Sequence, residues 1–165
     1  MIFELEPIFN NIGMSLAVDY SIDFSDVQLD LNRPFTEPVR VTGSFRNSAG
    51  VVSIDAAAEF TLSLFCDRCA SPMQQQYRIP VSHVLVRELN DESNDEFICL
   101  DSFRFDLDAL VSDDIFLSLP SKFLCSPDCK GLCPKCGHNL NAGPCSCKKS
   151  VDPRLEGLLQ LLDNS

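Results

Sequence analysis

Residues 52–64 read VSIDAAAEFTLSL. Val52, Ile54, Ala56, Ala58, Phe60, Leu62 and Leu64 fall on one phase of this stretch. Ser53, Asp55, Ala57, Glu59, Thr61 and Ser63 fall on the other. A strand sends successive side chains to opposite faces, so the pattern predicts a long strand with one buried and one wet face. Upstream, Val39, Val41, Gly43 and Phe45 alternate, and Asn47-Ser48-Ala49-Gly50 reads as a turn. Downstream, Tyr77, Ile79, Val81, His83 and Leu85 alternate again. Pro80 has no N–H to donate, which predicts an edge or a bulge there. Residues 39–88 therefore read as an antiparallel meander. A weaker alternation over 14–31 predicts one more strand, followed by a break between Arg33 and Pro38.

Beyond the meander lies an acidic loop, NDESNDE at 90–96, and a short apolar stretch at 97–100. Asp106 suits the cap of a helix near 106–119, with Leu107, Leu110, Val111 and Ile115 on one side and Pro120 ending it. Near the end, Asp152 and Pro153 suit a helix start. Leu155, Leu158, Leu159 and Leu162 follow at i, i+3, i+4 and i+7, a short amphipathic helix. The order implies an α+β fold: a strand-rich antiparallel sheet or partial barrel with one or two helices and a C-terminal cysteine-rich loop. Two domains are expected, a β-rich one over 1–120 and a cysteine-rich module over 121–165.

The 165 residues carry 13 Lys and Arg against 24 Asp and Glu, a net charge of −11. That total speaks against a nucleic-acid binder, but it hides an asymmetry. Residues 1–120 hold seven Arg, no Lys and 20 acids, whereas 121–165 hold six basic residues and four acids. The opening MIFELEPIFN lacks a basic region before an apolar one and predicts no secretory or transit signal. No apolar run approaches the roughly 20 residues that span a bilayer. The expected location is the cytoplasm, where thiols stay reduced.

Nine cysteines in such a chain call for a reason other than disulfides. Six fall together: Cys125, Cys129, Cys133, Cys136, Cys145 and Cys147. Clustering of this kind points to metal, and four thiolates around Zn²⁺ make a tetrahedral structural site. The turn C-P-K-C-G suits half of it, because Gly137 can take a positive φ. Cys133 and Cys136 are the firmest ligands. Either Cys145 and Cys147 or Cys125 and Cys129 complete the four, and spacing does not choose. Cys66-Asp67-Arg68-Cys69 sits in a turn between two strands and allows three readings: structural cysteines, a redox dithiol, or a second metal pair using the two spare cysteines. A redox dithiol would want a helix after its first cysteine. Cys99 reads as a small buried apolar side chain, and His83 as a hydrogen-bonded core histidine. His138 reads as a bystander beside the metal site, and Phe123 and Leu124 as core. No arrangement typical of catalysis is present, so the site is expected to be structural and the protein not an enzyme.

In order along the chain come F-C-D-R-C-A-S-P, D-L-D-A-L-V-S-D-D-I-F-L-S-L-P, L-C-S-P-D-C-K-G-L-C-P-K-C-G-H-N-L-N, C-S-C and D-P-R-L-E-G-L. This series resembles the YceD family, the large-ribosomal-RNA-subunit accumulation proteins, over about residues 50–162. The turn built on Cys66, Arg68 and Cys69 fits the general family pattern. The cysteine-rich segment looks like the form in Gram-positive-like members. The resemblance implies a bacterial-type cytosolic protein acting in the accumulation or processing of large-subunit ribosomal RNA, and no catalytic residue comes with it. The expected partner is that rRNA, a basic ribosomal protein or an assembly factor, with neither a membrane nor a small-molecule substrate. Phosphates would be met by Lys122, Lys130, Lys135, Lys148, Lys149 and Arg154, with Asn139 and Asn141 adding polar contacts. The alternatives are an acidic adaptor that binds protein and no RNA, and a thiol redox protein using Cys66 and Cys69.

Overall fold

A computed structural model describes residues 1–29, 32–88 and 97–147. Its elements, in chain order, are β1 (Ile2–Glu4), α1 (Glu6–Asn10), β2 (Ser15–Ile22), β3 (Val39–Ser48), β4 (Val51–Phe65), β5 (Pro72–Val86), β6 (Phe97–Cys99), β7 (Arg104–Asp106) and α2 (Leu107–Ser118). Five strands form one sheet in the order β2-β3-β4-β5-β6, and β1 pairs with β7 in a second sheet of two. The fold is α+β and strand-rich, with no closed barrel among the described residues. The expected C-terminal helix and the acidic loop at 90–96 lie outside the described residues.

The period-two stretch is the central strand. β4 pairs antiparallel with β3 from Arg40↔Glu59 to Ser48↔Val51, and with β5 from Val52↔Leu85 to Phe65↔Pro72. Val52, Ile54, Ala58, Phe60, Leu62 and Leu64 are buried, as their phase requires. Burying each larger one contributes about 1.5–3 kcal/mol. The β3–β4 turn is a two-residue loop in which Ala49 and Gly50 both have positive φ, 54° and 91°. That conformation matches the twist of a tight hairpin. Pro80 sits opposite Ala57 on β4, while β6 joins β5 only from Val84 onward. Its missing donor therefore falls where β5 is paired on one side.

The meander expected over 39–88 is β3, β4 and β5, all antiparallel; beyond it β6 joins β5 in parallel, which makes the sheet mixed at that edge. Cys99 is a further difference: it is exposed. A three-residue edge strand covers little, and among the described residues Cys99 Sγ donates to the Arg87 carbonyl at 3.7 Å. The elements β1, α1 and β7 were not legible in the pattern, being three to five residues each. Phe45 links the two sheets, packing on Phe3 at 5.3 Å and on Phe105 at 6.0 Å between ring centroids. Asn47, buried, donates to the Ile8 carbonyl at 2.8 Å and accepts from Gly50 N–H at 2.9 Å, so α1 is tied to the hairpin. Helix α2 is capped by Asp106, whose carboxylate accepts from Asp108 N–H at 3.1 Å. It buries Leu107, Val111 and Ile115. His83 on β5 bonds Asp114 on α2 at 2.8 Å, and Phe123 packs half-buried on the core.

The Cα packing divides the chain into two compact units. One is Met1–Phe65 with Pro72–Phe123, the sheets and helices. The other is Cys66–Ser71 with the chain from Leu124 onward. The turn between β4 and β5 thus belongs with the cysteine-rich segment.

Gly43 faces Ala56 across the β3–β4 pair, and a Cβ there would collide with Ala56 Cα and Asp55 O. Gly43→Ala should cost about 1–3 kcal/mol in urea unfolding. Adding Ala56→Gly removes only the Ala56 Cβ, a third obstruction, and leaves the two nearer backbone atoms in place, so it should not restore the loss; a full recovery would show that the clash is between side chains.

Candidate metal centres

Eight of the nine cysteines assemble into two groups within the second unit. Cys66, Cys69, Cys125 and Cys129 form the first, and Cys133, Cys136, Cys145 and Cys147 the second. In each group the four sulfurs lie within 4.8 Å of one another. Cys66 Sγ is 3.7 Å from Cys129 Sγ, and Cys69 Sγ is 3.6 Å from Cys125 Sγ. A disulfide would bring the sulfurs to about 2 Å, so these are separate thiols. Four sulfurs at about 2.3 Å from a tetrahedral metal stand about 3.8 Å apart. The measured separations fit that figure.

Both groups start from the same local device. In Cys66-Asp-Arg-Cys69-Ala70 and Cys133-Pro-Lys-Cys136-Gly137, the fifth residue has positive φ, 54° at Ala70 and 71° at Gly137. In both, its N–H returns to the carbonyl of the first cysteine, at 2.8 and 2.9 Å. The turn leaves main-chain N–H groups aimed at the first sulfur. The Cys125 N–H, from the facing segment, and those of Cys69 and Arg68, from the turn, pull the Cys66 thiol down to about 6. Those of Cys136 and Lys135 do the same for Cys133, also to about 6. The Ser71 hydroxyl lowers Cys69. In contrast, Cys125 is pushed up to about 12, mainly by its hydrogen bond to Cys129, and Cys147 to about 12, mainly by that to Cys136. Each group thus combines a thiol prepared for ionisation with one that its neighbours keep protonated. A divalent cation among them would reverse the second effect, since its charge outweighs the repulsion between thiolates.

The remaining contacts fix the second halves of the groups. Arg68 donates from its guanidinium to the Cys129 carbonyl at 3.1 Å and to the Pro127 carbonyl at 3.4 Å, holding the 125–129 segment on the first turn. Leu132 N–H bonds the Arg68 carbonyl at 3.1 Å. Gly131, with φ 74°, makes this approach; a Cβ there would stand 3.0 Å from that carbonyl oxygen. Burial gives the same reading. In this unit the buried side chains among the described residues are Cys66, Cys69, Cys129 and Cys133. A segment without an apolar core of its own is the kind that a metal stabilises.

The structure therefore brings Cys145 and Cys147, not Cys125 and Cys129, to Cys133 and Cys136, and it gives the spare pair to Cys66 and Cys69. The signal was present in the sequence: two C-x-x-C turns, each followed by a small residue, each needing its own two partners. His138 is exposed, and its carbonyl, not its ring, serves the site, accepting from Cys133 N–H at 2.8 Å. Asn139 and Asn141 are spent inside the unit. Asn139 Nδ2 donates to Ser71 Oγ at 3.2 Å, and Asn141 Nδ2 donates to Cys129 Sγ at 3.2 Å. Leu124 is half-buried. Lys122, in the sheet unit, and Lys130 and Lys135, in the cysteine unit, are exposed. Lys148, Lys149 and Arg154 lie outside the described residues.

Fold and site together define a strand-rich domain whose second unit is organised by two four-thiol groups that can each hold a metal ion. The model of the large ribosomal RNA subunit accumulation protein YceD matches residues 54–162, and this chain belongs to the YceD family. An uncharacterized protein of Mycobacterium tuberculosis (strain ATCC 25618 / H37Rv) is 32% identical over 101 residues, 59% of this chain and 49% of that protein. The chloroplastic large ribosomal RNA subunit accumulation protein YCED homolog 1 of Zea mays is 27% identical over 143 residues, 67% of this chain and 49% of that protein. The chain spans about half the length of the curated relatives it matches. No solved structure matches. No helix among the described residues is long and apolar enough to cross a membrane.

Titrated with Co²⁺, the chain is expected to take up two equivalents, each with the absorption of a tetrahedral four-sulfur site. Cys66→Ser should abolish one such site and Cys133→Ser the other. Loss of both signals from either single change would show that the eight sulfurs act as one cluster.

Proposed function

We propose that each four-thiol group holds one Zn²⁺ as a structural ion. The chain then acts without catalysis in the accumulation of large-subunit ribosomal RNA, by binding that rRNA. Membership of the YceD family supports the general role. The observation that carries the binding mode is the placement of Lys130 and Lys135 on the metal-organised backbone. Lys130 N–H is bonded to Asn141 Oδ1 at 2.8 Å, and Lys135 N–H points at the Cys133 sulfur. Both residues are exposed, Lys130 directly after Cys129 and Lys135 within the Cys133–Cys136 turn, as basic residues are on RNA-binding zinc knuckles. The cytoplasm is the fitting compartment, because eight clustered thiols need reducing conditions to stay metal ligands.

A second reading rests on charge. Residues 1–120 carry 20 acids and seven arginines, which suits a basic ribosomal protein or assembly factor and opposes RNA. Fluorescence anisotropy with large-subunit rRNA fragments separates the two. Under the rRNA reading, binding weakens with salt. Lys130→Glu with Lys135→Glu then lowers affinity and reduces the log–log salt slope by about 1 for each phosphate no longer neutralised. Unchanged rRNA binding in that variant would overturn the role given to Lys130 and Lys135; no rRNA binding by the parent, together with capture of a basic ribosomal protein, would move the assignment to the protein adaptor.

A further inference from the structure

The two metal groups share a loop. Residues 137–144 join the two halves of the second group, so both ends of the loop are fixed by its ligands. The middle of the loop reaches the first group at two sulfurs, one directly and one through Ser71. Asn141 Nδ2 donates to Cys129 Sγ at 3.2 Å. Asn139 Nδ2 donates to Ser71 Oγ at 3.2 Å, and Ser71 Oγ lies 3.4 Å from Cys69 Sγ. One sulfur of each pair in the first group is thus held by a hydrogen-bond chain whose origin is the loop of the second. The asparagines brace each other, with Asn141 N–H on Asn139 Oδ1 at 3.0 Å. Around them, Leu140 N–H bonds the Gly131 carbonyl at 2.9 Å, and Leu132 bridges Asn139.

We infer that Asn139 and Asn141 are positioning residues for the first metal centre, and that metal in the second centre controls how tightly the first is held. This rests on the reading that both groups bind metal. A thiolate that accepts a hydrogen bond is a quieter, better-oriented ligand, and outer-layer donors of this kind are worth about 10- to 100-fold in metal affinity. The donors act only while the loop keeps its shape, and the second metal closes that loop. The coupling is reciprocal, as any linkage between two binding equilibria must be. Losing the ion at Cys133, Cys136, Cys145 and Cys147 loosens the one at Cys66, Cys69, Cys125 and Cys129, and the converse loss acts by the same factor.

The test uses the full chain loaded with two equivalents of ¹¹³Cd²⁺. Asn141→Asp is the diagnostic variant. It preserves an oxygen to accept from Lys130 N–H, so the loop can keep its shape, and it replaces the donor to Cys129 with a carboxylate oxygen that repels the thiolate. The variant is expected to retain two ions, shift the ¹¹³Cd resonance of the first centre, and release that ion to excess chelator at least tenfold faster. Cys133→Ser, which retains the first centre, assigns the resonance. Replacing Cys145 and Cys147 by Ser should accelerate release from the first centre to a similar degree, and adding Asn141→Asp to that background should change it little further. Parent-like release in Asn141→Asp, or unaltered release from the first centre when the second is removed, would overturn the coupling while leaving two metal sites intact. A parent chain that takes up no Cd²⁺ would instead overturn the metal reading beneath it.

Discussion

Four thiolates cannot stand within a few ångströms of one another in neutral water without a cation to share. Everything distinctive in the second unit follows from that constraint. The main chain contributes first, with N–H groups turned toward Cys66 and Cys133 so that one sulfur per group ionises readily. The crowding of the others resists this, and holds Cys125 and Cys147 protonated. Such a set is poorly stable as free thiols and well stabilised by a divalent ion with affinity for sulfur.

The two units solve folding by different means. The sheet unit buries Phe45, Ile54, Val81 and Leu107 in a continuous apolar core, and its helices are tied in by Asn47 and Asp106. It therefore has a source of stability independent of any ion. The cysteine unit buries sulfur where a domain would bury leucine. Its order comes from turn geometry, from the Arg68 guanidinium on two carbonyls, and from asparagine bridges. These are polar interactions worth about 1 kcal/mol each at best, too few to offset the chain entropy of the segment without a stronger bond.

What the sequence disclosed tracks the range of the interactions involved. Strand β4 was plain because its alternation is local and long, and Asp106 was plain because a cap is read within a few residues. The parallel run of β6 was hidden, since nothing in F-I-C says which way it pairs. Cys99 was misplaced for the same reason: an apolar context in a short segment does not fix which face is covered. The metal ligands were recognisable by type, and the pairing was not, because it joins a turn at 66–69 to a segment some 60 residues later. A local clue to it does exist. Ala70 and Gly137 take the same positive φ after the second cysteine of each turn, which marks two equivalent half-sites and hence two groups of four.

The asparagines matter beyond ligand counting. Read from sequence alone, Asn139 and Asn141 are polar residues in a loop beside lysines, and contact with RNA is the natural assignment. In the fold their amide groups are turned inward, one to Ser71 and one to Cys129. The lysines gain what the asparagines give up. With the Lys130 amide held by Asn141 and the Lys135 amide aimed at the Cys133 sulfur, the backbone under each lysine is fixed by the contacts of the two four-thiol groups, while both residues stay exposed. A loop that ordered itself only on its partner would lose affinity to the entropy of ordering. On the proposed function, metal bound first would transfer that cost to a stronger bond, and the surface offered to a phosphate backbone would already be in place.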